Sequence, residues 1–344
     1  MKRILKIDPK QGVADPDGRI VWYDCKDIGV EGKGWEQTES FYDRLPAKAR
    51  HTVPGAVWDL SHDSAGLCVR FSTDSASIQV RWTLLKDSLA MAHMPATGVS
   101  GVDLYVRHAS GRWQFAGNGQ PVAVSNTATF LTSPGKPCLL YLPLYNGVKS
   151  VEIGIPKEHH LATTRERRKT VVFYGTSITQ GGCASRPGLA ATAIVGRELD
   201  VSVINLGFSG NGRMESEMAD LLAELDPTLY VLDCLWNMQP NQVTERIEPF
   251  VRKLRGAHPG TPILLAEDSS FANATPTEKG RLLRAVREQL MREGIGGLHF
   301  LSNEGMLGND SEGTVDRCHP NDVGMMRQAA VFAAALIPIL RSSK

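Results

Sequence analysis

The sequence predicts an α/β protein in two parts, an antiparallel β-sandwich followed by a parallel sheet covered by helices on both faces. Three observations carry this. From about residue 55 to 156 apolar and polar residues alternate with period two, the mark of half-buried strands. Beyond residue 157 short apolar runs alternate with stretches of three-to-four spacing, as strand–helix units require. The length of 344 residues is about twice a domain of ~150.

In chain order, LCVRFS (67–72) and SIQVRWTL (77–84) alternate around the turn-rich TDSA and predict a hairpin. GVDLYVR (101–107) and RWQFAG (112–117) flank HASG in the same way. LYLPLY and VKSVEIGI meet at Asn146 and Gly147, which tolerate positive φ, so a third tight hairpin is expected. Strands of this kind without helical periodicity form a sandwich. The stretch KEHHLATTRERRK then marks the boundary, giving a sandwich domain over 1–165 and a second domain over 166–344. Its strands are TVVFYG (170–175), VSVINLG (201–207), LYVLDCL (229–235), PILLAED (262–268) and LHFLS (298–302). Between them, Val243, Ile247, Phe250, Val251 and Leu254 mark one helix, and Leu282, Leu283, Val286 and Leu290 a second that starts at Thr275 and Pro276. Met325, Ala329, Phe332, Leu336 and Ile339 mark the last.

Composition narrows the function. A formal net charge of +1 provides no global field toward nucleic acid or an anionic membrane, so neither is an expected partner. The six cysteines form no CxxC and lack the density of a disulfide scaffold, so free or buried thiols are expected. No uninterrupted apolar run approaches the ~20 residues of a membrane helix; the nearest, AAVFAAALIPIL, is shorter and contains Pro338. The first residues lack the apolar core of a signal peptide, so a soluble, cytoplasmic protein is expected, with export after removal of a leader as the alternative.

The stretch FYGTSITQGG places Ser177 at the carboxyl end of the first parallel strand, where ligands bind in open sheets. A phosphate-binding loop would need GxxxxGK[ST], and GTSITQGG has neither the lysine nor the spacing. GFSGNG (207–212) has the wrong glycine order for a dinucleotide fingerprint, and no GxSxG elbow is present. A serine nucleophile needs a base, an orienter for that base, and donors to the oxyanion. In DRCHPND (316–322) the D-x-x-H spacing lets Asp316 reach one imidazole nitrogen of His319 while the other faces outward. Gly210 lets a backbone N–H approach a substrate oxygen, and Asn237 in LDCLWNM offers an amide donor. Taken alone, the histidine equally suits a solvated loop, the glycine a turn and the asparagine a loop cap.

Together, the four fall in order at strand ends of one sheet, and the series resembles the SGNH (GDSL-type) hydrolase superfamily. Ser177 in YGTSIT matches its first block, Gly210 in NLGFSGNG the second, Asn237 in LWNM the third, and Asp316 with His319 the last, over roughly residues 168–344. Thr176 stands where many members have Asp, and CLWN lacks the usual Gly and Asp around its Asn. GVDLY (101–105) is similar to the GxDLY signature of a sandwich domain that precedes the catalytic domain in one subgroup; as a plain strand, it would point Asp103 outward. The resemblance implies a three-layer α/β/α SGNH-hydrolase domain preceded by a jelly-roll-like β-sandwich. It also implies an ester hydrolase with Ser177 as nucleophile, His319 as base and Asp316 as its orienter, and an oxyanion hole of Ser177, Gly210 and Asn237. Neither a metal nor any other cofactor is expected: the remaining histidines, including the surface pair His159 and His160, show no HExxH-like spacing.

The substrate expected is a small-molecule or oligosaccharide ester. No long apolar lid segment lies near the motifs, which favours short acyl groups. The first domain carries Trp58, Trp82 and Trp113 and resembles the companions of carbohydrate esterases, so an O-acetyl sugar leads; in strands such tryptophans also serve as core. An acyltransferase using the same residues and a non-catalytic glycan-binding protein are the alternatives. Arg186, Glu215, Glu267, Asp268 and Asn273 stand near strand ends as cleft-lining candidates, or as solvated or capping residues.

Overall fold

Period-two alternation translates directly into one-sided burial. In the strand Ser77–Leu84 the side chains of Ile78, Val80, Trp82 and Leu84 are buried and those between them half-buried. The computed structural model describes residues 3–165, 169–270 and 276–342; Asn273 and the helix start anticipated at Thr275 lie outside them, and the boundary expected after residue 165 adjoins the undescribed 166–168. The chain divides into two compact units. One comprises Met1–Arg44, His62–Arg168 and Ser185–Gly188, the other Leu45–Ser61, Lys169–Ala184 and Leu189–Lys344.

The first unit is an antiparallel sandwich. One sheet runs Arg3–Lys6, Leu161–Arg165, Cys68–Thr73, Pro137–Tyr141, Val102–Arg107, Trp113–Gly119, with Val30–Glu31 also pairing to Cys68–Thr73. The other runs Val13–Ala14, Ile20–Asp24, Val148–Pro156, Ser77–Leu84, Ser125–Leu131. A single core joins them, with Val69, Phe71, Leu104 and Leu140 from the first sheet against Val80, Trp82, Val151 and Ile153 from the second.

Of the three hairpins expected, one forms: Val102–Arg107 pairs with Trp113–Gly119. Cys68–Thr73 and Ser77–Leu84 belong to different sheets, as do Pro137–Tyr141 and Val148–Pro156. These connections arch over the core, because a two-layer sandwich buries both strands by placing them face to face as well as by pairing them. Asn146 and Gly147 accordingly have other duties. Asn146 is fully buried; its amide N–H groups donate to Lys86 O and Ser100 Oγ, both at 3.1 Å, and its Oδ1 accepts the Lys86 N–H at 3.0 Å. Gly147 is required by space, since a Cβ there would lie 2.2 Å from His62 O and Leu85 Cδ1.

The second unit is the three-layer α/β/α domain. Its strands are β1 (Thr170–Gly175), β2 (Ser202–Gly207), β3 (Leu229–Asp233), β4 (Ile263–Ala266) and β5 (Leu298–Leu301), all parallel, in the order β2-β1-β3-β4-β5. The helices that follow β1 are α1 (Ser177–Gln180), α2 (Ala191–Leu199), α3 (Ser216–Leu222), α4 (Pro240–Ala257), α5 (Glu278–Arg292) and α6 (Asp322–Ser342). Helices α2 and α6 pack together, and α3, α4 and α5 pack in a row, the division that right-handed crossovers produce in this strand order. The chain reverses direction across the sheet between β1 and β3, the switch point where ligands bind in such folds.

All five residues expected on α4 are buried. On α5, Leu283, Val286 and Leu290 are buried while Leu282 is only half so, and Thr277 is the N-cap, its hydroxyl accepting the Gly280 N–H. Helix α6 continues through Pro338 to 21 residues. Among the described residues it alone is long and apolar enough to cross a membrane, yet half of its apolar window is buried within the protein. Phe332, for example, meets Phe173 of β1 edge to face at 5.5 Å.

Candidate active site

The parallel sheet presents its loops at one edge, and the first block sits where β1 ends. Thr176 caps the single turn of α1, its hydroxyl accepting the Ile178 N–H at 3.3 Å. Thr and Asp both serve as N-caps, so Thr176 fits the place where the resemblance leads one to expect Asp. Ser177 begins the turn and is 6% exposed.

The last block is a tight turn just before α6, organised by one carboxylate. Asp316 Oδ1 accepts the N–H groups of Cys318 at 3.0 Å and His319 at 2.7 Å, closing the turn. Arg317 within it has φ 69°, a left-handed conformation that side chains rarely adopt. Asp316 Oδ2 lies 2.7 Å from His319 Nδ1, and His319 Nε2 lies 3.0 Å from Ser177 Oγ. Burial opposes ionisation of Asp316, but the His319 ring and the N–H groups of His319 and Cys318 hold its carboxyl below the usual carboxylate range. An ionised carboxylate only accepts, so Nδ1 carries a proton, and in the neutral imidazole Nε2 is then the nitrogen whose lone pair faces the serine hydroxyl. The structure therefore joins Ser177, His319 and Asp316, which are distant in sequence, in one hydrogen-bonded chain.

Gly210 follows β2 with φ 67° and open space where a Cβ would stand, so backbone conformation selects the glycine. The residues flanking it are tied to the first and third blocks. Gln180, buried on α1, accepts the Ser209 N–H through its Oε1 at 3.0 Å, and Asn237 Nδ2 donates to Asn211 O at 2.6 Å. Asn237 itself closes the 3₁₀ turn Leu235–Asn237 after β3.

Gln180 and Asn211 escape sequence reasoning, as does Thr179, whose hydroxyl donates to Asp233 Oδ2 at 2.9 Å. The signal available was their place within the first and second blocks, beside residues already singled out. The cleft-lining candidates have structural partners. Glu215 accepts from the buried Tyr174 hydroxyl and the Arg213 N–H. Glu267 accepts the Thr277 N–H at 2.7 Å, and Asp268 the Thr277 hydroxyl at 2.6 Å; both carboxylates are buried. Arg186 belongs to the sandwich unit, where Asp103 is fully buried rather than outward-facing. Asp103 Oδ2 accepts from Arg186 Nη1 and the Gly188 N–H at 2.8 Å each, and Tyr105 Oη bonds Arg186 at 2.6 Å. Thus both polar residues of GVDLY grip the Ser185–Gly188 segment. The tryptophans are not exposed platforms: Trp82 is core, Trp58 is buried on the helix Gly55–Ser61 of the second unit, and Trp113 is half-buried with Arg70 and Arg107 against its ring. His159 and His160 share Asp74 at the surface, and none of the six cysteines is in a disulfide, with only Cys318 partly exposed.

The GDSL-like Lipase/Acylhydrolase family model matches residues 168–337, and the GxDLY model, the N-terminus of SGNH-hydrolase-type esterases, matches residues 20–161. No curated protein matches the chain. Among solved structures, a protein from Bacteroides ovatus described as a GDSL-like lipase is 35% identical over 94% of this chain and 98% of its own, with a TM-score of 0.86. The salicylyl-acyltransferase SsfX3 from a tetracycline biosynthetic pathway shares the fold at TM-score 0.75 and 19% identity, over 95% of this chain and 97% of its own. A family two carbohydrate esterase from Cellvibrio japonicus does so at 0.60 and 13%, over 99% of both chains. A full-length relative at this identity, both family models and four motif blocks at the ends of one sheet agree: the chain belongs to the GDSL-like lipase/acylhydrolase (SGNH hydrolase) family, in the group with an N-terminal GxDLY domain.

Proposed function

We propose that the protein is a serine esterase that removes short acyl groups, acetyl first among them, through a covalent acyl-enzyme. The observation that carries this is the hydrogen-bonded chain from Ser177 Oγ through His319 to Asp316. In this reading Ser177 attacks the acyl carbon as Nε2 of His319 takes its proton, and Asp316 holds the imidazole in the required tautomer and stabilises its charged form. The imidazolium then protonates the leaving alkoxide, and the same nitrogen activates water to release the acid. The N–H groups of Ser177 and Gly210 and the amide of Asn237 are assigned to the oxyanion. Asn237 carries two N–H bonds, one spent on Asn211 O; the second, without a partner among the described residues, is assigned to the substrate.

The acyl carrier is proposed to be a carbohydrate, the substrate class named by the family two carbohydrate esterases whose fold the chain shares. Trp58 and Trp82 are buried and give this no support, so sugar contacts are expected from other side chains. The test is acetate release from acetylated oligosaccharides and from p-nitrophenyl acetate. Wild type is expected to turn over both and Ser177→Ala neither. Activity on the aryl ester alone would remove the carbohydrate assignment. Transfer to an added alcohol in preference to water would make the protein an acyltransferase built on the same residues.

A further inference from the structure

The turn that carries Asn237 is weak by itself. Its internal bonds, Asn237 N–H to Cys234 O at 3.2 Å and Met238 N–H to Leu235 O at 3.1 Å, are the long bonds of a single 3₁₀ turn, whose geometry is poor. A side chain from another element supplies what the turn lacks. Lys279, in the first turn of α5, donates from Nζ to Leu235 O at 2.5 Å and reaches Trp236 O at 3.4 Å. It also pairs with Asp268 Oδ2 at 3.2 Å. The lysine side chain is 18% exposed and the aspartate 7%, so the charge is held largely out of water, which is costly unless each donor is satisfied. Trp236 is fixed from a second side: its indole N–H donates to Ser269 Oγ at 2.9 Å, and its ring centroid lies 5.6 Å from the ammonium. The cation also complements the partial negative charge of the Leu235 and Trp236 carbonyl oxygens.

We infer that Lys279 is a positioning residue that holds the Leu235–Asn237 turn so that the Asn237 amide meets the developing oxyanion. The inference rests on the esterase reading above and adds to it a residue outside the four motif blocks. If the ammonium served only to neutralise Asp268, its loss would lower stability and leave the chemical step alone. If it positions Asn237, its loss lowers kcat through that amide.

The experiment is a double-mutant cycle on p-nitrophenyl acetate, with folded protein verified by melting temperature. Lys279→Met is expected to lower kcat by about tenfold to a hundredfold, the range a small misplacement of a catalytic group produces, with KM within about twofold. In an Asn237→Ala background the same change is expected to alter kcat by less than about threefold, because the group through which the lysine acts is gone. Lys279→Arg, which keeps a cation and donors, is expected to recover most of the loss, and Lys279→Gln serves if the Met variant does not fold. A Lys279→Met kcat within twofold of wild type, or an equal loss in both backgrounds, overturns the inference while Asn237→Ala alone remains costly. If Asn237→Ala costs nothing, the oxyanion assignment falls and the inference with it.

Discussion

Replacing Asp316 with Asn tests the most demanding feature of the site, because one carboxylate both closes a turn and orients a base. Asn retains an oxygen that can accept the N–H groups of Cys318 and His319, so the backbone of the turn is expected to survive. What changes is the group facing His319 Nδ1, now 2.7 Å from a carboxylate oxygen. An NH₂ in that place needs an acceptor, which fixes the proton on Nε2, the nitrogen 3.0 Å from Ser177 Oγ, and removes the lone pair that must take the serine proton. Two losses combine. The imidazolium formed during attack loses an anion about 4 Å from its charge centre, worth roughly 1 kcal/mol at the dielectric of water and about 4 kcal/mol at an effective dielectric near 20. With Asp316 39% exposed, the lower part of that range applies, a factor of about ten. The tautomer accounts for the rest, and a carboxylate-to-amide change at such a position lowers kcat by about 10⁴ in a well-studied serine protease. We expect Asp316→Asn to lower kcat on p-nitrophenyl acetate by about 10³ or more, with KM and melting temperature near wild type. Asp316→Ala, which frees both N–H groups of the turn, is expected to lower the melting temperature as well. A loss in kcat below tenfold for a folded Asp316→Asn protein would show that Asp316 does not set the tautomer of His319.

Two further predictions concern stability. Burial pushes Asp233 up to about 6, against the hydrogen bond from Thr179 and with the help of Asp268. Its native value thus lies above the unfolded one, so its contribution to stability is complete below ~4 and lost as pH rises through about 6. Asp233→Asn is therefore expected to gain on wild type between pH 4 and 7, by at most about 3 kcal/mol and by less because Asp233 keeps some solvent contact. A difference in melting temperature that stays constant over that range would contradict it. In the sandwich, burial pushes the Asp103 carboxyl up while Asn118, Arg186 and the Gly188 N–H oppose it. Arg186→Met leaves this carboxylate without its cation and is expected to cost about 3–5 kcal/mol in urea unfolding, where a cost under about 1 kcal/mol would show that the pair is not structural.

The parallel domain was largely legible because its signals are local. Each strand is a short apolar run between turn residues, and β1 was read residue for residue as Thr170–Gly175. The sandwich was legible in type and not in pairing: alternation in Cys68–Thr73 and Ser77–Leu84 tells which side chains are buried, but a hairpin and an arch between sheets bury the same faces. Asn146 and Gly147 misled for the same reason, since a buried amide strut and a glycine crowded by His62 O share the residue types of a tight turn. At the site, the short D-x-x-H spacing indicated the contact between Asp316 and His319, since three residues on a turn have few ways to arrange themselves. The meeting of His319 with Ser177 spans 142 positions and was supplied by block order. Gln180 and Lys279 went unread because each acts on a backbone group of a distant loop, and a backbone group leaves no residue type in the sequence to pair with.

The most direct measurement is mass spectrometry of the protein after reaction with a fluorophosphonate, with the adduct mapped by peptide. One adduct is expected, on Ser177, formed rapidly by wild type, slowed strongly by His319→Ala, and absent from Ser177→Ala in parallel with the loss of ester hydrolysis. An adduct on another residue, or full esterase activity in Ser177→Ala, would contradict Ser177 as the nucleophile.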